Sequence, residues 1–198
     1  MCGIAGFMRA FSPSSDINNL GMMGEVLFHR GPDAGGEYLD DFVGLAHRRL
    51  SIIDLSSAGN QPMHSYNGRY VIVFNGEIYN YRELRKELQD EGYPFKTMTD
   101  TEAILALYAK SGVNCLERLN GMFAFALWDK GEKTLFLARD RVGKKPLYYY
   151  YGGGDKLAFA SEIKPLLLFN GPKPKIDETS IIDYLKYLYI PAPKTIFQ

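Results

Sequence analysis

The chain has 198 residues, of which 46% are hydrophobic and 23% charged, the composition of an ordinary soluble globular protein. Basic and acidic residues each number 23, so the net charge is zero and we expect no nucleic-acid partner. No apolar run reaches the roughly 20 residues that span a membrane, and no signal peptide is evident. Two cysteines and three scattered histidines predict no disulfide framework and no metal site, which favours a cytoplasmic protein.

The first half of the chain predicts strands alternating with helices. Asp16 is a candidate N-cap, and Gly31-Pro32 and Gly92 are typical helix ends. The apolar run Tyr-Val-Ile-Val-Phe predicts a buried strand. The predicted elements are a strand over 2–8, a helix over 17–28, a strand over 42–47 with 49–53 extended, a loop over 59–68, a strand over 70–74 and a helix over 80–91.

The second half carries clearer signals. Thr99 followed by Glu102 is a capping box and predicts a helix over 100–110, which Gly112 ends. Residues 122–128 are apolar on both alternating faces, so we expect this strand to lie between two layers. The remaining elements are a strand over 134–139, a hairpin of 147–151 and 157–160 around the glycines 152–154, a short helix after Ser161, and a helix over about 180–189 opened by Thr179.

Hairpins and helices both connect these strands, which predicts an α+β fold of two mostly antiparallel sheets face to face with helices outside. The last residues, Ile-Pro-Ala-Pro-Lys-Thr-Ile-Phe-Gln, close no domain. We therefore expect the chain to be a piece of a longer protein.

Cys2 follows the initiator methionine, and small second residues such as cysteine favour removal of Met1. Removal would leave one residue with both a thiol and a free α-amine. The amine has a pKa near 8, so it is partly neutral at physiological pH and can take the thiol proton. This pairing is how N-terminal nucleophiles are activated. If Met1 is retained, the nitrogen is an amide and cannot act as base. A buried strand cysteine is the alternative.

Asn75-Gly76-Glu77 follows the buried strand predicted over 70–74. The asparagine amide and the glycine N–H are two donors that could hold an oxyanion, while Asn-Gly is also the strongest hairpin-turn signal. The guanidinium of Arg49 could bind an α-carboxylate through two parallel hydrogen bonds, or Arg49 could be a surface charge. Glu77 and Asp100 could hold an ammonium, although Asp100 could equally complement its helix dipole.

Three other features receive structural interpretations. His29 to Asp33 is typical of a rigid turn held by its own side chains. Arg139 to Leu147 lacks the spacing of a phosphate loop, which favours a structural loop or docking surface. Cys115 is expected to be a small buried apolar residue.

As an ordered set, these stretches resemble class II glutamine amidotransferases, and most of all the glutaminase domain of glutamine-hydrolysing asparagine synthetases. The likeness runs through almost the whole chain. Its segments are Met1 to Ile4, His29 to Asp33, Arg49 to Ile53, Gly59 to Pro62, Phe74 to Tyr79, Thr99 to Glu102, Gly121 to Trp128, Arg139-Asp140 and Ala160 to Glu162.

The resemblance implies that residues 1–198 form a glutaminase domain with the four-layer αββα sandwich of N-terminal nucleophile hydrolases. It implies that Cys2 attacks the side-chain amide of L-glutamine and forms a thioester. Asn75 and Gly76 would bind the oxyanion, and Glu77 and Asp100 the α-ammonium. The α-carboxylate would be held by Arg49 with the backbone of Leu50, Ser51, Ile52 and Ile53.

The resemblance also implies a partner domain. About 175–198 would begin a linker to a C-terminal synthetase domain, which uses ammonia, ATP and Mg²⁺ to amidate aspartate. No cofactor is expected in the glutaminase domain itself, and relatives make a homodimer a possibility. Two alternatives stay open: the same glutaminase chemistry serving an amino sugar, polysaccharide or peptide, or a non-catalytic relative used for assembly.

Overall fold

The computed structural model describes residues 1–8, 16–153, 156–169 and 174–198. Its strands form two sheets in which every pairing is antiparallel, one of five strands ordered β2-β3-β1-β9-β8 and one of four ordered β4-β5-β6-β7. In chain order the strands are β1 (Gly3–Met8), β2 (Ala34–Leu39), β3 (Val43–Arg49), β4 (Met63–His64), β5 (Tyr70–Ile78), β6 (Gly121–Asp129), β7 (Thr134–Arg139), β8 (Tyr148–Tyr151) and β9 (Leu157–Ala160).

Helices cover the outer face of each sheet. An apolar cluster joins α1 and α4 to the five-stranded sheet, and another joins α2 and α3 to the four-stranded sheet. The bounds are α1 (Asp16–Glu25), α2 (Tyr81–Asp90), α3 (Asp100–Ser111), α4 (Ile163–Leu168) and α5 (Glu178–Tyr187), with 3-10 turns at Phe28–Arg30, Ser57–Gly59 and Gly112–Glu117. Within the described residues, no helix is long and apolar enough to cross a membrane.

A third apolar cluster fills the space between the two sheets. Its members come from both sheets, including Ile4 of β1, Leu45 of β3 and Val73 of β5. The layers therefore run helix, sheet, sheet, helix, and the predicted four-layer αββα arrangement is confirmed.

Strand β6 shows why the two sheets stack. Phe123, Phe125 and Leu127 face the helix layer, whereas Ala124 and Trp128 face the other sheet. This alternation is the one predicted from the apolar run over 122–128. A strand with no polar face is stable only when both of its faces are covered.

Four points of the strand prediction need correction. Strand β4 lies within 59–68, which was predicted to be a loop. Strand β2 was not predicted, because Ala-Gly-Gly-Glu-Tyr-Leu has low strand propensity and is mostly half-exposed. Strand β5 continues through Asn75-Gly76 to Ile78, four residues beyond the predicted end, so the hairpin-turn interpretation is wrong. Only Arg49 of the predicted extended segment 49–53 is in a strand. The hairpin of β8 and β9 is confirmed, although Gly154 at its tip lies outside the described residues.

The helix ends follow the predicted signals with local differences. Gly92 and Gly112 have φ of +93° and +57°, as C-terminal glycines do. Thr99 caps α3 by accepting a 3.2 Å bond from the Glu102 N–H, but the Glu102 carboxylate bonds to residues 96 and 97 instead of completing a capping box. Helix α5 is capped by Asp177 and not opened by Thr179. Helix α1 ends at Glu25, and the side chain of its predicted cap lies outside the described residues.

Ser161 gives a test of how the middle strand is held. Its buried Oγ accepts a 3.0 Å bond from the N–H of Ile4, beyond the last ladder pair of β1 and β9. We expect Ser161→Ala to lower the free energy of unfolding by about 1–3 kcal/mol, because a buried N–H loses its acceptor. Urea denaturation measures the change. Ser57→Ala, at an exposed serine, is the control and should stay within about 0.5 kcal/mol; an equal loss in both variants contradicts the interpretation.

Candidate functional site

Cys2 directly precedes β1, the middle strand of the five-stranded sheet. Its Sγ accepts a hydrogen bond from the Leu50 N–H at 3.4 Å and lies 3.6 Å from the Leu50 carbonyl oxygen. Its own carbonyl accepts a 3.0 Å bond from Nε of Arg30. Because side chains alternate along a strand, Cys2 projects on the same side as Ile4, into the space between the sheets.

The environment of Cys2 keeps its sulfur protonated. Burial raises the pKa of the thiol, and this effect exceeds the lowering by the Leu50 N–H, by the N-terminal cation and by Arg49. A protonated thiol is a weak nucleophile, so a base is needed. With Met1 in place the nitrogen of Cys2 belongs to a peptide bond, and an α-amine is present only after Met1 is removed.

Asn75 lies in β5 on the side that faces the five-stranded sheet, like Val71 and Val73 before it. Its side chain is only 1% exposed, and Nδ2 has no hydrogen-bond partner in the described part of the chain. An unpaired buried donor costs about 1–3 kcal/mol. A buried amide that is left unpaired next to a cavity is available to a ligand.

The N–H of Gly76 points to the same edge of the strand. The N–H groups of Phe74 and Ile78 donate to the Gln61 side chain and to the Asp100 carboxylate, not to β6. N–H direction alternates in an antiparallel strand, so the Gly76 N–H lies between these two and faces the cavity. A Cβ on Gly76 would collide with the Met122 carbonyl, which accounts for the glycine.

Asp100 is the first residue of α3 and is 5% exposed. Its Oδ2 accepts a 3.0 Å bond from the N–H of Ile78. Burial raises the pKa of its carboxyl to about 6, against the lowering by backbone N–H groups, and the charge of Glu77 raises it further. Glu77 and Asp100 line the same cavity, and two neighbouring carboxylates suit a ligand ammonium.

Arg49, at the end of β3, is 5% exposed, so the surface-charge alternative is wrong. Its Nη1 donates to the Ser56 carbonyl at 2.7 Å and to Oδ1 of Asn60 at 2.9 Å. Its Nη2 donates to the carbonyls of Ile53 and Asp54. In this state both Nη groups hold the loop after β3, and binding a carboxylate through Arg49 requires these carbonyls to be displaced.

The predicted residues meet at one open cavity between the ends of β1, β3 and β5 and the start of α3. Nine of the ten line its wall, and Ser51 does not. The N–H of Ser51 donates instead to the Asp33 carboxylate at 2.8 Å. The nine are Cys2, Arg49, Leu50, Ile52, Ile53, Asn75, Gly76, Glu77 and Asp100.

Three polar residues of the wall, Gln61, Thr101 and Lys145, were given no role from the sequence. Gln61 ties β5 to α3, because Oε1 accepts from the Phe74 N–H and Nε2 donates to Oγ1 of Thr101. Lys145 is 6% exposed and lines the cavity beside Met1. Gln61 belongs to a segment that carried the resemblance, whereas nothing local distinguishes Lys145 from its neighbour Lys144.

The turn at His29 to Asp33 is not held by its own side chains, contrary to the sequence interpretation. Arg30 bonds to the Cys2 carbonyl and to Oε1 of Glu162, and His29 bonds to the same Glu162 oxygen at 2.9 Å. The loop from Arg139 is structural, as one alternative had it, since Asp140 accepts three backbone N–H bonds within and beside it. Cys115 is buried in the apolar core as expected.

No cluster of three or more histidine, cysteine, aspartate or glutamate side chains suited to a metal ion occurs among the residues whose structure is described. The cavity instead offers a thiol, unpaired amide and N–H donors, two carboxylates and two cations. This set suits nucleophilic attack on a carbonyl in a ligand with an ammonium group.

Comparison with known proteins gives consistent results. The family described as "glutamine amidotransferase domain" matches residues 1–198. Asparagine synthetase [glutamine-hydrolyzing] 1 of Bacillus subtilis is 41% identical over 99% of this chain and 31% of its own length. Putative asparagine synthetase [glutamine-hydrolyzing] 2 of Methanocaldococcus jannaschii is 38% identical over 100% of this chain and 41% of its own length. The chain therefore spans less than half of these relatives.

Among solved structures, glutamine phosphoribosylpyrophosphate amidotransferase of Bacillus subtilis superposes with a TM-score of 0.66 at 23% identity, over 84% of this chain and 43% of that one. At this identity the likeness concerns the fold alone, and it confirms the predicted fold of N-terminal nucleophile hydrolases. The family match over all 198 residues confirms the resemblance drawn from the sequence. The chain belongs to the class II glutamine amidotransferase domain family.

Proposed function

We propose that this chain hydrolyses the side-chain amide of L-glutamine to glutamate and ammonia, with Cys2 as the nucleophile. The observation that supports this most directly is the unpaired Asn75 amide lying in one cavity with the Cys2 thiol and two carboxylates. Family membership and the names of the relatives point the same way.

The proposed reaction begins when the freed α-amine of Cys2 takes the proton of Sγ. The sulfur attacks the amide carbon, and the Asn75 amide and Gly76 N–H bind the oxyanion that forms. The α-ammonium then returns the proton to the leaving nitrogen, so ammonia departs and a thioester remains. Water, deprotonated by the same amine, attacks the thioester and releases glutamate with the thiol restored.

At the other end of the substrate, Glu77 and Asp100 hold the α-ammonium. The α-carboxylate binds the guanidinium of Arg49 in place of the loop carbonyls that Arg49 contacts in the free protein. Leu50, Ile52 and Ile53 line this side of the cavity, and the N–H of Ser51 is bonded to Asp33 instead of facing it. Glutamine binding and loop rearrangement are thereby coupled.

For the longer protein, we propose that the ammonia passes to a C-terminal synthetase domain that amidates aspartate to asparagine with ATP and Mg²⁺. The support is that the relatives bear the name asparagine synthetase and are more than twice as long as this chain. The linker would begin at about residue 175, and the segment from there to residue 198 contains α5. No residue of this chain is assigned to ATP or Mg²⁺. Homodimer formation and a cytoplasmic location stay predictions.

The nucleophile assignment is tested by alkylation with a glutamine-like diazo ketone, followed by intact-mass spectrometry. We expect one adduct on protein that has lost Met1, and no adduct with Cys2→Ala or with an N-terminal extension. Cys115→Ala is the matched control and should label normally, because Cys115 is buried in the core. An extended protein that labels and hydrolyses glutamine at full rate excludes the α-amine as base.

Asn75→Ala should lower kcat by about 10²–10³ with little change in KM, because the amide acts on the oxyanion and not on bound glutamine. Steady-state glutaminase assays measure both constants, and a thermal melt verifies folding. Asn114→Ala, at an exposed asparagine, should leave kcat unchanged. An unaltered kcat in Asn75→Ala removes this residue from the oxyanion site.

Glutamine affinity should weaken in acid, because the ammonium needs an ionised Asp100 and the pKa of that carboxyl is about 6 in the free protein. One pH unit below the pKa, about a tenth of the carboxyl is ionised. We therefore expect Kd to rise about tenfold between pH 7.5 and pH 5. Calorimetry with the Cys2→Ala protein measures binding without turnover. Asp100→Asn should bind weakly with little pH dependence, and an equally steep dependence in that variant contradicts the assignment.

A further inference from the structure

Lys145 places a buried ammonium in the wall of the glutamine cavity, and the proposed reaction has not used it. The side chain is 6% exposed. Its position is fixed by the loop between β7 and β8, in which Asp140 accepts the N–H of Lys145 at 2.9 Å and Nε of Arg139 donates to the Lys145 carbonyl at 2.6 Å. These bonds fix the backbone from which the buried side chain extends.

The ammonium is also poorly paired. Among the residues that the structure describes, Nζ has one hydrogen-bond acceptor, the thioether sulfur of Met1 at 3.3 Å, and it forms no ion pair. A thioether is a weak acceptor. Burying a charge with so little compensation is costly, and removal of Met1 takes away even this partner. Lys145 and Cys2 line the same cavity, so the new N-terminal residue lies near this charge.

We propose that Lys145 is a positioning residue for the base of the reaction: its cation makes the protonated α-amine of Cys2 unfavourable, so that the amine is neutral and can accept the thiol proton. This inference rests on the proposed glutaminase function. Two cations that are close together in a shielded cavity repel each other, and one gives up its proton. An α-amine has a lower intrinsic pKa than a lysine, so the amine is the group that becomes neutral.

The charges around Cys2 single out Lys145. Arg30 bonds to the Cys2 carbonyl, but its guanidinium is paired with Glu162 at 3.0 Å, which offsets its charge. Arg49 also lowers the pKa of the Cys2 thiol, but its guanidinium is bonded to the Ser56 carbonyl and to Oδ1 of Asn60. The nearby acids are Glu77, Asp100 and Glu162. The ammonium of bound glutamine would neutralise the charge of Glu77 and Asp100. Glu162 also bonds to His29. Among the described residues neither Arg49 nor Lys145 has a carboxylate partner, but Arg49 donates to carbonyl and amide oxygens whereas Lys145 has only the Met1 sulfur.

The electrostatics of Lys145 agree with this placement. Burial and then the cation of Arg30 lower the pKa of its ammonium, while the charges of Cys2, Glu77 and Asp140 raise it. Lys145 therefore responds to charge on Cys2, and Cys2 must respond to Lys145. A cation lowers the pKa of both groups at Cys2, because it destabilises the protonated amine and stabilises the thiolate.

The inference is tested by titrating the α-amine in protein from which Met1 has been removed, with selectively ¹³C-labelled cysteine followed by NMR. Buried Cys115 serves as an internal reference. We expect Lys145→Met to raise the amine pKa by about one unit, since an uncharged chain of similar length removes the repulsion. The acidic limb of the kcat/KM profile should move up equally, with about a tenfold loss at pH 7 and recovery above pH 9.

Matched variants separate charge from packing. Lys145→Arg keeps the cation and should keep the amine pKa near that of the parent protein. Lys144→Met removes a charge from the exposed neighbour and should shift nothing. If Lys145→Met does not fold, Lys145→Gln is used with the same expectation.

An unchanged amine pKa in the Lys145 variants, or a loss of kcat/KM that is the same at every pH, overturns the inference. A failure of the proposed glutaminase function would give a different set of results. If the parent protein does not hydrolyse glutamine, the NMR titration, which needs no turnover, still reports whether Lys145 lowers the amine pKa.

Discussion

The site depends on the two-residue period of strands that line the space between the sheets. Along β3, Val43 and Leu45 face the apolar interior, and the same face continues to Arg49. Along β5, Val71 and Val73 lead in the same way to Asn75 and Glu77. The apolar core and the polar cavity are therefore two ends of the same rows of side chains. A slip of one residue in either strand would turn the whole row to the opposite face.

The sequence predicted the elements whose signals are local. Thr99 and Gly112 mark the two ends of α3 correctly, and the apolar alternation of β6 predicted its place between two layers. Local signals failed where distant parts of the chain decide the outcome. Asn75-Gly76 has the composition of a turn, but pairing with Ala124 and Phe123 keeps it in a strand. Strand β2 is weak on its own and forms against β3.

The candidate site residues came from the resemblance more than from residue chemistry, and nine of ten share the cavity. Arg49 was expected to be free for a carboxylate, and its hydrogen bonds to loop carbonyls could not be foreseen without coordinates. Lys145 was missed because burial, which distinguishes it from Lys144, depends on the tertiary fold and has no signature in the local sequence. The cavity also concentrates unfavourable polar groups: an unpaired amide, a carboxyl of raised pKa and an underpaired ammonium. Such groups lower the stability of the free protein, and their unused hydrogen bonds and charges are available to a ligand.

The position of β1 in the middle of its sheet has a consequence for the order of events during synthesis. One neighbour, β3, ends at Arg49, but the other, β9, runs from Leu157 to Ala160. The ribosome must add more than a hundred further residues before the first strand gains its second neighbour. Through that interval the N-terminus is not yet enclosed, so an aminopeptidase can trim it before the finished sheet fixes Cys2 in the cavity.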